Sequence, residues 1–485
     1  KRKKWYINFI SKKNYYYQIS LNNNKNALES FNKIIELDTE SSESYYYRGQ
    51  FYADYLEDYE KAIADFSKAL ELDPDNAKLY FERGLSYAYS DNNIKSIADW
   101  IICLEIDPQF DVALYNNIAV QYVNLNEYNK ALEIYERAIK MDSTYSHAYR
   151  NRAELYSINF NDNENALLDY NKMVEFDPEN SDSYYYRGEF YADYLEDFEK
   201  AIEDYSKGIE LNPNDPDLYF QRALLNHNEF NDYDQSIIDY LKVIDFNPKL
   251  AAVYNNLAQI YNYELRDFDK ALEFYTKTIE NDSTASYAYK NRANLYSNSL
   301  NDNESALLDY NKIIELDPEN SDSYYYRGEF YADYLEDYKK AIEDYSKGIE
   351  LNPDNAKFYF SRGLSYGNLD NTIKSIADYL KCLEIDPEYD VALYNNLAVS
   401  YENLKDFDKA LEVYVMAIKI DSTYVYAYRN KADLYSDNLN DNKNALLNYN
   451  KTVELEPEDS DNYYYRGVFY ADYIEDYEKA IEDYS

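Results

Sequence analysis

One short pattern returns along the whole chain, and a chain built this way has few folds open to it. In residues 45–74, YYYRGQFYADYLEDYEKAIADFSKALELDP, the side chains Tyr45, Gly49 and Tyr52 recur at helical spacing, and Ala62, Phe66 and Ala69 do so after a short break. The pattern predicts two amphipathic helices, with Asp58 and its neighbours at the turn and Pro74 ending the second. Small residues at Gly49 and Ala62 let the paired helices approach, and Tyr52 and Phe66 fill the space around them. With the second-helix Ala or Ser as anchor, the unit recurs at Ala27, Ala62, Ser96, Ala131, Ala166, Ala201, Ser236, Ala271, Ala306, Ala341, Ser375, Ala410, Ala445 and Ala480. Most spacings are 35 residues and two are 34. Such units bury a core only by stacking on their neighbours. A longer period lies on top: SDSYYYRGEFYADYLED at Ser181 returns at Ser321, with near copies at Ser42 and Ser460, so a block of four repeats is duplicated.

The order of a large residue, Gly or Ala, Tyr, then Ala, an aromatic and Pro resembles the tetratricopeptide repeat. That resemblance covers residues 1–485 and implies an all-α fold, a right-handed α–α superhelix of tandem helix–turn–helix repeats forming a single solenoid. The usual repeat of that family is one residue shorter. The extra residue is expected, in general, between the two helices, as in ADYLEDYEKA against the shorter AYSDNNIKS. Solenoids of this kind need polar capping helices. None is visible, the last helix stops at Ser485 and there is no initiator Met, so the chain is expected to be a piece of a longer solenoid. Exposed apolar helix faces at its ends would then promote self-association.

Charge and composition narrow the function. A formal charge of −43 argues against nucleic acid, whose binding rests on Lys and Arg neutralising phosphates, and against anionic membrane surfaces. No apolar run reaches the roughly 18 residues of a membrane helix. Residues 1–4 are basic, and the apolar stretch 5–10 is too short for a signal-peptide core. No targeting signal can be read, which leaves the compartment open with the cytoplasm as default. Cys103 and Cys382 occupy equivalent places in distant repeats and read as small core residues.

Catalytic chemistry finds no footing. The residues Gly363 to Gly367 match the G-x-S-x-G elbow of hydrolases, but Ser365 falls inside a predicted helix, and both histidines, His147 and His227, precede it. No phosphate loop, dinucleotide fingerprint, zinc or calcium motif occurs, so neither a cofactor nor a metal is expected, and the chain reads as no enzyme.

The repeats also test one another. The residue before the first-helix Gly or Ala is Arg in nine repeats: Arg48, Arg83, Arg152, Arg187, Arg222, Arg292, Arg327, Arg362 and Arg466. Each has an Asp before the second-helix aromatic: Asp65, Asp99, Asp169, Asp204, Asp239, Asp309, Asp344, Asp378 and Asp483. Where the first is apolar the second is too, as in Ile118 with Ile134, Leu257 with Phe274 and Leu397 with Val413; Lys431 with Asn448 is softened at both. Contact across the helix pair explains this, because a mixed pair would strand a partly buried charge.

The family resemblance further implies that first helices line a concave groove holding extended peptides or partner helices, and that the two residues before the Arg-or-apolar slot face it. Those positions alternate. Aromatic stretches hold Tyr46, Tyr47 and Phe81, then Tyr185, Tyr186 and Phe220, then Tyr325, Tyr326 and Phe360. Between them stand Asn116, Asn117, Arg150 and Asn151; Asn255, Asn256, Lys290 and Asn291; and Asn395, Asn396, Arg429 and Asn430. Side-chain amides suit the backbone of an extended peptide, and aromatics give apolar area at low entropy cost. The peptide-binding candidates are therefore Asn117, Arg150, Asn151, Asn256, Lys290, Asn291, Asn396, Arg429, Asn430, Tyr185, Tyr186, Tyr325 and Tyr326. Lys290, Asn294 and Lys357 also fit three of five places of a chaperone-type carboxylate clamp, with Tyr326 and Ser361 where Asn and Arg are required. The expected function is a protein-interaction scaffold whose partners are proteins or peptides; the alternative is the substrate-recruiting region of a larger enzyme. Replacing the second-slot asparagines by Ala is expected to leave folding nearly unchanged.

Overall fold

The computed structural model describes residues 24–485; the basic residues 1–4 and the apolar stretch 5–10 lie outside them. Among the described residues every regular element is a helix, in two compact units that divide after Pro248. Each unit is a tandem of helix hairpins. In the first, Ser181–Leu195 pairs with Phe198–Leu211 and is followed by the pair Pro216–Asn228 and Tyr233–Phe246. In the second, Ser321–Asp333 pairs with Tyr338–Leu351, then Ala356–Asn368 with Thr372–Ile385.

Local chemistry sets the helix ends. Most second helices start at an Asp N-cap whose carboxylate accepts a backbone N–H three residues on, as Asp58 does from Lys61 and Asp197 from Lys200, whereas Asn92, Glu127 and Asn371 take that place at three tight turns. Second helices end at an Asp, Asn or Glu, such as Asp73, that in most repeats stands directly before Pro, as Pro74. Among the described residues each hairpin turn holds one residue in the left-handed region, and in no case is it Gly.

The extra residue of the repeat has two homes. In most repeats it widens the hairpin turn, closed by a backbone bond across six residues, as from Asp197 N–H to the Tyr191 carbonyl and from Asp337 to Tyr331. The tight turns at Asp91, Asn126, Asp370 and Lys405 close across five, as from Asn92 to Tyr87. Two of those, around Asn126 and Lys405, belong to repeats that place the added residue in the preceding loop, 107–111 or 386–390. Its position between the helices is thus the rule with two exceptions.

The core lies inside and between hairpins. Second-helix aromatics such as Phe66, Trp100, Tyr205 and Tyr345 are fully buried over the first-helix Gly or Ala. A Cβ on Gly188 would come 2.8 Å from the Tyr205 ring, so the small residue permits the close approach. Tyr52 is only half-buried, its ring 5.4 Å beneath the Lys61 ammonium. Between repeats, side-chain size is traded. Ala69 stands opposite Leu79, Gly208 opposite Leu218 and Gly348 opposite Phe358, whereas equivalent positions hold Met173 with Ser183 and Ile313 with Ser323. Cys103 and Cys382 are buried at this same layer, their thiols pushed up to about 12 by burial, as expected of core residues.

Candidate peptide-binding face

The Arg–Asp pairs position this face. All nine form as forks, Nε donating to one carboxylate oxygen and Nη2 to the other, at 2.5–2.9 Å. The Asp carboxylates are almost fully buried. For every Arg but Arg152 a third bond, which the spacing did not reveal, runs from Nη1 to a polar side chain on the preceding repeat's second helix, as from Arg187 to Asn171, Arg83 to Ser67 and Arg292 to Thr276. Eight of the nine therefore tie their own hairpin to the one before it. Successive first helices also touch one another directly, as Ser42–Leu56 does Ala77–Tyr89 and Ala356–Asn368 does Val391–Asn403. That closer side is the inner face of each unit.

On this face the amides meet in pairs. Asn151 Nδ2 donates to Asn116 Oδ1 at 2.9 Å, Asn291 to Asn255 at 3.0 Å and Asn430 to Asn395 at 3.1 Å. Asn116, Asn255 and Asn395 are buried, while Asn117, Asn256 and Asn396 beside them are half-buried. The basic residues lean forward onto the next repeat: Arg150 lies 4.7 Å over the Tyr186 ring, Lys290 4.6 Å over Tyr326 and Arg429 4.7 Å over Tyr465. Arg150 also donates to Asn151 Oδ1 at 3.0 Å. Amide and aromatic stretches are thus joined through their cations. Tyr185 and Tyr325 turn partly inward, against Tyr205 and against Tyr345 and Phe358.

These contacts correct one expectation. Removing Asn291 and Asn430 would leave buried amide acceptors unpaired, at about 1–3 kcal/mol each, so the asparagine variant does not leave folding untouched. The would-be clamp is engaged within the chain as well: Asn294 accepts from Tyr310 at 2.6 Å, and Lys357 reaches Asp322 at 3.1 Å and the Tyr325 ring at 3.9 Å. Ser365 sits inside helix Ala356–Asn368, its hydroxyl donating to the Ser361 carbonyl at 2.9 Å, away from any strand-to-helix elbow.

Between the first helices Val112–Asn124 and Ser146–Asn159 lies a cavity of about 330 Å³. Val120, Leu155 and Ile158 give it apolar walls, and Asn124, Arg150, Asn151 and Glu154 converge on it. Glu154 was not foreseen. Its signal was an acid two residues after the Arg slot, repeated at Glu189, Glu329 and Asp433. Burial raises all four carboxyls above their usual range.

In the second unit three carboxylates take tyrosine hydroxyls: Glu402 from Tyr414 at 2.6 Å, Asp433 from Tyr449 at 2.5 Å and Asp437 from Tyr473 at 2.5 Å. Burial above all, with the like charges of Asp433 and Asp437, pushes Glu402 up to about 7. A carboxyl raised on folding contributes stability that is complete below its unfolded value and lost as pH rises through its folded one. Acidification from about pH 8 to about pH 6 is therefore expected to stabilise this unit, with Glu402 supplying on the order of 1–2 kcal/mol after screening at its partly exposed site. Glu402→Gln should flatten that slope in urea melts, and equal slopes for both proteins would remove the assignment.

Comparison with known families agrees with this architecture. A model described as TPR repeat matches residues 55–89, 194–229 and 334–370. Models described as tetratricopeptide repeat match 391–424, 309–343, and 112–145, 251–284, 286–320 and 356–389. Together these span more than half of the chain. No curated protein matches. Among solved structures, YrrB, described as a TPR protein with an unusual peptide-binding site, is similar at 27% identity over 40% of this chain and 97% of its own, with a TM-score of 0.34. A chain of the APC/C hetero-tetramer Cut9–Hcn1 aligns at 14% over 96% and 95% with 0.39, and yeast Tom70 at 18% over 94% and 97% with 0.38.

Proposed function

The chain belongs to the tetratricopeptide repeat family, and from that premise we propose that it is a protein-interaction scaffold holding extended protein segments along the inner face of its first helices. The observation that carries this reading is the inner-face cavity at Arg150, Asn151 and Glu154, with apolar walls and a few converging polar groups, the make-up of recognition pockets. The amide pair Asn151 and Asn116 at this cavity, like the pairs Asn291 with Asn255 and Asn430 with Asn395 in the second unit, offers remaining donor and acceptor capacity to a peptide backbone. The half-buried carboxylates Glu154, Glu189 and Glu329 and the charge of −43 favour segments with basic side chains and speed their capture at low salt.

Selection from a random peptide display library tests it. Asn117→Ala with Asn256→Ala and Asn396→Ala is expected to weaken all selected peptides about tenfold or more, while Tyr325→Ala with Tyr326→Ala alters which are preferred. A folded triple-asparagine variant that keeps every peptide at wild-type strength would overturn the reading.

A further inference from the structure

Nine repeats fill one and the same place with the chain's own side chain. In eight of them the sequence sets one tyrosine three residues before the Arg and another four after it, Arg222 alone having Asn226 at the second place, and the guanidinium lies against these rings. Arg83 is 5.7 and 6.0 Å from Tyr80 and Tyr87, and Arg152 is 5.8 and 5.9 Å from Tyr149 and Tyr156. The repeat around Ile118 keeps both rings, as Tyr115 and Tyr122, and exchanges everything else. Arg becomes Ile118, Asp becomes Ile134, and the polar partner on the preceding helix becomes Ile102.

What remains is a cavity of about 430 Å³, within the roughly 300–1,000 Å³ of ligand pockets. Ile118 and Ile134 form its floor, Ile101 and Leu104 one wall, and the two tyrosines flank it. It is bounded by the second helices Asn93–Ile106 and Tyr128–Met141, so it is distinct from the cavity between first helices.

We propose that this cavity is a second docking pocket, which takes one aromatic or branched aliphatic side chain of a partner protein. The sibling repeats show that the space between the rings accepts a flat or long side chain. Its floor excludes a cation, because the carboxylate that meets the guanidinium elsewhere is here Ile134. Both rim cations are met within the chain: Lys130 Nζ lies 3.4 Å from Glu127, and Arg137 donates to Glu133 at 2.6 Å. Glu105 is the remaining charge of the lining and is exposed to solvent, so the apolar surface below gains most from an apolar guest. In the second unit Leu397 and Val413 likewise stand with Tyr394 and Tyr401, but there Lys381 takes the place of Ile102.

The test is methyl NMR of the full chain with labelled Ile and Leu, titrated with the amides of N-acetyl-phenylalanine, N-acetyl-leucine and N-acetyl-arginine. The first two probes are expected to shift the Ile118, Ile134 and Leu104 methyls saturably, and the third to leave them in place. Two variants plug the pocket. Ile134→Phe copies Phe274, and Ile102→Ser with Ile118→Arg and Ile134→Asp copies Ser67, Arg83 and Asp99, a triad with the same 16-residue spacing. Either should weaken the probes at least about tenfold, read at Leu104. No saturable shift in the wild type, preference for the arginine probe, or undiminished binding in a folded plugged variant would each overturn the proposal.

Discussion

Arg187→Ala is expected to destabilise the first unit by about 3–5 kcal/mol, because it leaves the buried Asp204 carboxylate without its counter-charge. Exposed ion pairs are worth far less, about 0–1 kcal/mol, so the size of the effect is itself diagnostic. The same change removes the Nη1 bond to Asn171, loosening the joint to the preceding hairpin as well. Arg187→Lys should not rescue, since an ammonium cannot reproduce the fork. Arg187→Leu with Asp204→Ile and Asn171→Ile should return to within about 1 kcal/mol of the wild type, because apolar replacement of a whole buried ionic group is often neutral. The chain already contains that solution at Ile102, Ile118 and Ile134. Urea unfolding of the single and combined variants reads the coupling. Additive losses at Arg187 and Asp204 would show that the two side chains act independently.

Gly348→Ile is expected to destabilise the second unit by about 3 kcal/mol or more, since the new side chain enters space held by the Phe358 ring. Higher helix propensity offsets less than about 1 kcal/mol of that. Phe358→Ser alone opens a cavity and should cost about 3–5 kcal/mol. Combined, the two changes recreate the Ile313 and Ser323 pair, and a coupling of about 2 kcal/mol or more in favour of the double variant is expected. Thermal melts of the four proteins decide it. A double variant no better than the sum of its parts would mean that the interface between repeats does not trade volume at these positions.

Much of this architecture was legible in the sequence because it depends on local spacing repeated many times. Helical periodicity, Asp caps and the Pro-marked ends place each helix, and fourteen copies of one pattern leave stacking as the way to bury its apolar faces. The Arg–Asp pairing was readable for the same reason, as a covariation among repeats of one chain. So was the place of Ser365 inside a helix, which follows from the repeat it sits in.

What the sequence left undecided concerns contacts whose partners lie a full repeat apart and whose distance no periodicity sets. Asn151 and Asn116 read as two peptide-facing amides, yet tertiary packing turns one toward the other. Arg150 and Tyr186 read as members of different stretches, yet the stacking of hairpins brings cation over ring. The third bond of eight Arg residues, the size trade between Gly348 and Phe358 and the cavity at Ile118 were all written in the residues. They became visible only once the hairpins were stacked, because burial, and with it the cost of an unpaired charge or an unfilled space, is a property of the stack and not of any one helix.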